Sequence, residues 1–338
     1  MSDAQGASSS GGEAGLLARI LPILAGEERA TAGFPFLGPG DDAAFVPLAG
    51  GALVTVDAVV EGQDFLWRWP CGLEHDPRDV GYKSVAQNVS DVNAMGGVPR
   101  WAVVSLQFPK GTPAERLEGI ARGMREALDE LAPECRIVGG DLGRAGETAS
   151  TVTVLGEAGP EGPKTRSGAR PGDVVAVAGD LGRAAAGLAL LLGDREIPER
   201  LMPWVRAQFR PVPPMQAGPA ATTATAMMDV SDSLARDANR LAEASGAALA
   251  LDADALAQDA DALMEPAAFL GAGRELAQEW ALIGGEDFAL LAAFPSREDC
   301  PQGFRVIGEV REARPGAPAV TLSGRELTAE GWDHLERD

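Results

Sequence analysis

Carboxylates recur in one setting along this chain. An apolar run ends, small residues follow, and an acid appears. GPGDDAA carries Asp41 and Asp42, VTVDAVVEG carries Asp57, IVGGDLG carries Asp141, MMDVSDSL carries Asp229 and Asp232, and LIGGEDFAL carries Glu286 and Asp287. Glycine lets the backbone turn sharply and lets a ligand come close. Asp91 adds an acid from a helical stripe, with Ser84, Gln87, Asn88 and Asp91 at i, i+3, i+4 and i+7. Gathered in one place, such carboxylates repel unless they are protonated or meet cations. Hard divalent cations take oxygen ligands, and Mg2+ combines one or two carboxylates with phosphates and water. Several Mg2+ ions carrying a nucleoside triphosphate would neutralise the cluster and let an acidic protein bind a polyanion. Taken singly, each Gly-Asp turn also fits an Asx turn. Asp229 and Asp232 also fit a cap for a helix starting near Ser231, and the Asp91 stripe also fits a solvated face.

Other chemistries find less support. Among 338 residues there are 50 acids and 29 bases, a formal charge of −21, which disfavours nucleic acid and anionic membranes as partners. Two histidines, His75 and His334, make a His-rich zinc site improbable, and His75 reads as a loop residue. Cys71, Cys135 and Cys300 are an odd set at wide spacing, which gives no disulfide framework and fits a reducing cytoplasm. The chain has no GxxxxGK[ST] and no GxGxxG. Gly179 to Gly182 reads as a tight strand-to-helix turn, with phosphate contact at the helix N-terminus as the alternative. Residues 226–299 hold 15 acids and four bases, and much of this run, including Asp252, Asp254, Asp259 and Asp261, reads as a solvated face.

The elements that must position the acids follow from periodicity. Strands are expected at 52–60, 101–108, 136–138, 150–157, 173–178, 226–228, 247–251, 289–294 and 305–308. Helices are expected at 16–25, 76–95, 113–131, from the turn after 178 to 192, and at 231–244. Residues 210–219, rich in proline, read as a connection that opens a helix. Residues 1–15 read as a disordered Ser/Gly tail without a secretory signal. Apolar runs are too short for a membrane helix. Residues 159–171 are turn-rich and poor in apolar side chains, so they separate an N-terminal domain (16–158) from a C-terminal α/β domain (172–338). Strands and helices intermix in both halves, which makes the class α/β or α+β.

The ordered set GDDAA, DAVVEG, GYKSVAQNVSDVNAMGG, VGGD, TRSGARPGD, DVSDSL, GGEDFALL and GWDH resembles the thiamine-monophosphate kinase family, nearly from end to end. That family belongs with the aminoimidazole ribonucleotide synthetases and selenophosphate synthetases. The resemblance implies a two-domain synthetase-like α/β fold whose N-terminal domains pair into a β-barrel in a homodimer. It implies ATP as co-substrate, several Mg2+ ions, and thiamine monophosphate as acceptor, giving thiamine diphosphate. Metal ligands are implied at Asp42, Thr55, Asp57, Asp91, Asp141, Asp229 and Asp232, with Val56 contributing its carbonyl. Catalytic roles are implied for Asp57, Asp91, Asp141 and Asp232. ATP contacts are implied at Gly140, Asp141, Arg166 and Ser231, and acceptor contacts at Glu286 and Trp332.

The chain departs from the family pattern at several places. Asp64 stands where the family commonly has a His at the acceptor, and Ser233 where it usually has Gly. Leu142-Gly143 replaces a common Thr-Thr, and Phe288 a frequent Tyr. None of these removes a proposed carboxylate ligand. A relative with another acceptor, or a nucleotide-binding protein without turnover, is the alternative that Asp64 and Ser233 leave open. The chemistry agrees with the residues. A phosphate monoester has its second pKa near about 6, so its oxygen is already anionic near neutral pH. Catalysis then reduces to alignment and charge neutralisation, which needs carboxylates and cations more than a strong base.

Overall fold

The β-branched run at 52–60 forms strand β1 (Ala52–Val60). The computed structural model describes residues 19–20, 22–23 and 51–331, and β1 opens its first sheet. Helix α1 (Pro77–Ala94) follows, started by Asp76, whose side chain accepts the Arg78 N–H, and by proline in its first turn. Strand β2 (Val98–Phe108), helix α2 (Ala114–Leu131), and strands β3 (Arg136–Arg144) and β4 (Ala149–Glu157) complete this half. The sheet order is β1-β4-β2-β3, antiparallel except for the β2–β3 pair. The two helices cover one face and meet backbone to backbone. A Cβ at Gly81 would lie 1.9 Å from the Ile120 carbonyl oxygen, and one at Gly123 only 1.7 Å from that of Arg78. The other face is open, with Val54 65% and Val56 61% exposed.

The second half builds a seven-stranded sheet in the order β11-β10-β7-β9-β5-β8-β6. Its strands are β5 (Val174–Ala178), β6 (Ala226–Val230), β7 (Ala247–Leu251), β8 (Ala289–Phe294), β9 (Phe304–Glu312), β10 (Val320–Leu322) and β11 (Arg325–Glu326). Helices α3 (Arg183–Leu192), α4 (Met202–Phe209), α5 (Ala217–Ala220), α6 (Leu234–Ser245), α7 (Ala257–Ala262), α8 (Met264–Phe269) and α9 (Arg274–Ile283) surround it. The observed class is therefore mixed α/β, as the pattern predicted. The two halves are not sealed from one another. Leu190, Leu191, Leu201, Val205 and Phe209 join the core of the first half, so α3 and α4 serve as its further cover. No described helix is long and apolar enough to cross a membrane.

Several elements differ from expectation. The strand expected at 136–138 runs on to Arg144, carried by its parallel ladder with β2. Helices α4 and α7 to α9 and strands β10 and β11 were not predicted. The acid run at 252–261 is only partly a solvated face. Asp252, Asp254 and Asp261 are exposed, but Asp259 is buried and paired with Arg305 at 2.5 Å. The tail at 1–15 and most of the helix expected at 16–25 lie outside the described residues; 19–20 and 22–23 are helical.

Candidate active site

The polar stripe on α1 faces inward. Ser84, Gln87 and Asn88 are buried and Asp91 is half-buried, so the stripe is not a solvated face. The Gln87 side chain donates from Nε2 to the Ala58 carbonyl at 3.3 Å, which ties the helix to β1. One helical turn further, Asp91 Oδ2 accepts Thr55 Oγ1 from the same strand at 2.6 Å. Ser90 Oγ donates to Asp229 Oδ2 at 2.7 Å, which joins α1 to β6 across the two halves. Burial pushes the Asp229 carboxyl well above the usual range, and the Asp91 charge adds to that. Burial raises Asp91 too, while Arg166 opposes both shifts. One buried and one half-buried carboxylate, each with a hydroxyl partner, make an oxygen-only donor set, which suits a hard cation. Among the described residues no three His, Cys, Asp or Glu side chains stand close enough to hold a metal by themselves. Mg2+ commonly completes its shell with phosphates and water, so the set still fits it.

Beside this pair lies a cavity of about 770 Å³ lined by Asp57, Asp64, Ser231, Asp232, Glu286 and Gly331, among others. Asp57 is exposed on β1 and accepts the Ala58 N–H at 2.8 Å. Asp64 accepts the Val60 N–H at 2.7 Å, and burial raises its carboxyl above the ordinary value. Asp232 pairs with Arg240 at 2.5 Å, and Arg240 also holds Asp237 at 2.8 Å. Asp237 is fully buried and accepts the N–H groups of Asp232 and Ser233, which fixes the loop between β6 and α6. Glu286 has φ +69°, a left-handed conformation unusual for a side chain of its size. Its N–H bonds Ser231 O at 2.8 Å, and its carboxylate meets Lys83 at 2.5 Å and Gln208 Nε2 at 2.7 Å. Lys83 and Gln208 are both buried. Neither was predicted as a site residue. Lys83 carried a visible signal, as one of three lysines, inside the motif GYKSVAQN.

Other predicted residues stand apart. Gly140 and Asp141 lie on β3, where Asp57 pairs with Val152, Val152 with Val104 and Val104 with Gly140. That is three strand spacings from Asp57, about 14 Å. Gly140 has a structural reason of its own, since a Cβ there would lie 2.2 Å from the Val104 carbonyl oxygen. Asp141 and Arg166 are exposed, and Val56 is exposed on β1. Asp42 and Trp332 lie outside the described residues.

Two neighbours of the site carry structural duties. Asp287 accepts the Gly182 N–H at 2.6 Å and the Ala184 N–H at 2.8 Å, so its carboxylate occupies the N-terminus of α3. The helix end considered for phosphate is thus filled by the protein itself. Burial raises the Asp287 carboxyl to about 7. His75 is in a loop but is buried, 4.1 Å from the Phe209 ring, with Trp69 Nε1 donating to its Nδ1 at 3.2 Å. Burial, with Lys83 nearby, lowers its pKa to about 3.

Comparison with known proteins shows the family and the fold. Residues 40–158 match the family model "AIR synthase related protein, N-terminal domain". The chain is 40% identical over 300 residues to the thiamine-monophosphate kinase of Mycobacterium tuberculosis, covering 88% of this chain and 85% of that one. It is 38% identical over 301 residues to the thiamine-monophosphate kinase of Corynebacterium glutamicum, covering 87% of each. The solved structure of AaThiL complexed with AMPPCP and TMP superposes with a TM-score of 0.74 at 31% identity, covering 84% of this chain and 87% of that one.

Proposed function

The chain belongs to the thiamine-monophosphate kinase family, and on that premise we propose that it transfers the γ-phosphoryl group of ATP to thiamine monophosphate, giving thiamine diphosphate and ADP. The observation that carries the reading is the convergence of Asp57, Asp64, Ser231, Asp232 and Glu286 on one cavity beside the Asp91–Asp229 pair. A cavity of about 770 Å³ is of the size that takes a small-molecule ligand. The ATP-analogue complex of a relative with the same fold supports ATP as the donor.

The residues divide by task. Asp91 and Asp229, supported by Thr55 and Ser90, are the best-placed carboxylates to hold Mg2+. Asp57 and Asp232 extend the set, with the Val56 carbonyl, Asp42 and Asp141 as further ligands of the same reading. When bound there, Mg2+ would neutralise phosphate charge that this acidic chain could not otherwise accept. Gly140, Arg166 and Ser231 are the proposed ATP contacts. Arg166 is the cation whose field already reaches Asp91 and Asp229. On the acceptor side the cavity wall carries Glu286, Asp64, Phe65 and Leu188. Carboxylates and apolar side chains together suit a ring system bearing a thiazolium cation. Trp332 is the proposed aromatic cover. The acceptor phosphate brings its own anionic nucleophile, so the protein's work is to align it and to exclude water.

Assembly belongs to the same reading. The open face of the first sheet, with Val54 and Val56 exposed, is proposed as the surface that pairs with a second copy. The domain boundary is placed at 159–171. Free thiols at Cys71, Cys135 and Cys300 agree with a cytoplasmic setting.

Incubation with ATP, Mg2+ and thiamine monophosphate, followed by phosphorus NMR, tests the function. Equal amounts of thiamine diphosphate and ADP are expected. ATP binding without a diphosphate product overturns it.

A further inference from the structure

Helix α6 does more than present Asp232. Ser233 is its N-cap, and the Oγ accepts the Arg236 N–H at 2.9 Å. The same hydroxyl donates to the Glu330 carbonyl at 2.6 Å. A hydroxyl has one proton to give, and here it is spent on a segment 97 residues away. Ser233 is fully buried, so water does not compete for either bond. Further along the helix, Asn239 Nδ2 donates to the Leu327 carbonyl at 3.0 Å as well as to Ala235 O at 2.8 Å. The segment from Leu327 to Gly331 is therefore pinned to α6 at two points. Thr328 and Glu330 bond each other, Oγ1 to Oε1 at 2.7 Å, which shapes the segment without anchoring it.

Contact at the far end is close. A Cβ on Gly331 would lie 2.5 Å from Ser233 Oγ and 2.8 Å from the Asp232 carbonyl oxygen, and its φ is +156°. Gly331 is also part of the cavity wall, with Asp64 and Glu286. The tie at Ser233 thus ends on the wall assigned to the acceptor, and the next residue in sequence is Trp332. The resembled family usually has Gly where this chain has Ser233. A glycine there could neither cap α6 through a side chain nor hold Glu330; the Ser233 side chain does both.

We propose that Ser233 and Asn239 are positioning residues that latch residues 327–331 onto α6 and so preform the acceptor wall of the cavity. The proposal rests on the kinase reading and extends it to acceptor affinity. A wall fixed in advance spares the ordering cost that binding would otherwise meet. Losing a latch therefore weakens acceptor binding, while the ATP side and the reacting atoms stay as they were.

Two variants test this in the full-length protein. Ser233→Ala removes both bonds of the hydroxyl; Asn239→Ala removes the second tie and leaves the cap intact. Hydrogen–deuterium exchange of residues 327–331 should rise in both. The KM for thiamine monophosphate should rise about fivefold to tenfold, the scale of one net hydrogen bond. The KM for ATP and the kcat should stay within about twofold, a split that general destabilisation would not give. Unchanged exchange in either variant overturns the latch. So does a parallel rise in the KM for ATP, or an effect confined to Ser233→Ala, which would mark a helix cap and nothing more. Wild-type protein that shows slow exchange at 327–331 yet makes no thiamine diphosphate overturns the kinase reading and the acceptor assignment, while the exchange result still decides the latch.

Discussion

Replacing Lys83 by Met should lower the unfolding free energy by about 2 kcal/mol, and replacing Glu286 by Gln should cost more, about 3 kcal/mol. The asymmetry comes from burial. The Lys83 side chain is 2% exposed, whereas that of Glu286 is 31% exposed. At 2.5 Å and an effective dielectric near about 20, the gross attraction is about 6–7 kcal/mol. Most of it is offset by taking the ammonium out of water. The contact is an ion pair whose Nζ lacks hydrogen-bond alignment, which lowers its net worth further. Removing one partner of a fully buried pair costs about 3–5 kcal/mol. Lys83→Met leaves a carboxylate that cavity water can reach and that Gln208 still bonds at 2.7 Å, so its cost falls below that range. Glu286→Gln leaves a buried ammonium that has lost its contact partner and keeps the Asp64 charge at longer range, so it stays at the lower edge. The double variant should be more stable than Glu286→Gln alone, because no buried ion is left unpaired. Urea unfolding near neutral pH, followed by tryptophan fluorescence and by circular dichroism, measures all three. Glu286→Gln costing less than Lys83→Met, or a coupling energy below about 0.5 kcal/mol, would refute the reasoning.

Other consequences are open to direct measurement. Asp57→Asn and Asp141→Asn should each cut turnover at least about 100-fold with little change in Tm, because both side chains are exposed; full activity in both variants removes these acids from the proposed site. Val56→Asp places a charge on the open sheet face, where Val56 is 61% exposed; if the proposed pairing holds, light scattering should report a dimer for the wild type and a monomer for the variant, and equal masses reject that face as the interface. His75 has a folded pKa of about 3 against 6.5 for the free side chain, so its contribution is present above pH 6.5 and lost as pH falls towards 3. The full loss is on the order of 5 kcal/mol. In His75→Phe the slope of stability against pH between these limits should flatten by about one proton, and an unchanged slope assigns the acid sensitivity elsewhere.

Much of the site could be read in the sequence because its acids sit where strands end, a position that turn chemistry marks locally. Strand β1 with Asp57, helix α1 with Asp91 and strand β6 with Asp229 fall within a few residues of the expected bounds. What stayed hidden depends on partners far along the chain. Gln208 sits on α4, whose eight residues run directly into the proline-rich stretch at 210–219 that reads as a connection. Asp287 caps α3 from more than 100 residues away, so nothing next to it announced the role. His75 looked like a loop residue because its burial needs Phe209, a contact across the two halves. Helices α7 and α8 have six residues each, too few for a hydrophobic period to stand out in an acidic run.

How the chain handles its −21 charge sets one pair of acids apart from the rest. Other acids, whether structural or lining the cavity, receive a partner from the protein. Asp79 and Glu126 share Arg210, Asp259 has Arg305, Asp237 and Asp232 share Arg240, and Glu286 has Lys83. Asp287 is served by two backbone amides. Asp91 and Asp229 are treated differently. Each is given a hydroxyl, and the nearby cation, Arg166, acts through its field while its side chain stays exposed. A hydroxyl satisfies one lone pair and leaves the charge uncompensated, which is why burial lifts both carboxyls. Such a pair is costly to keep unless something binds it, because the desolvation is already spent when the chain folds. In the proposed reading, a divalent cation brought in with a triphosphate would recover that cost at the moment of binding. The arrangement that makes this pair costly would therefore favour the bound cation, at the junction of α1, β1 and β6, where the two halves of the fold meet.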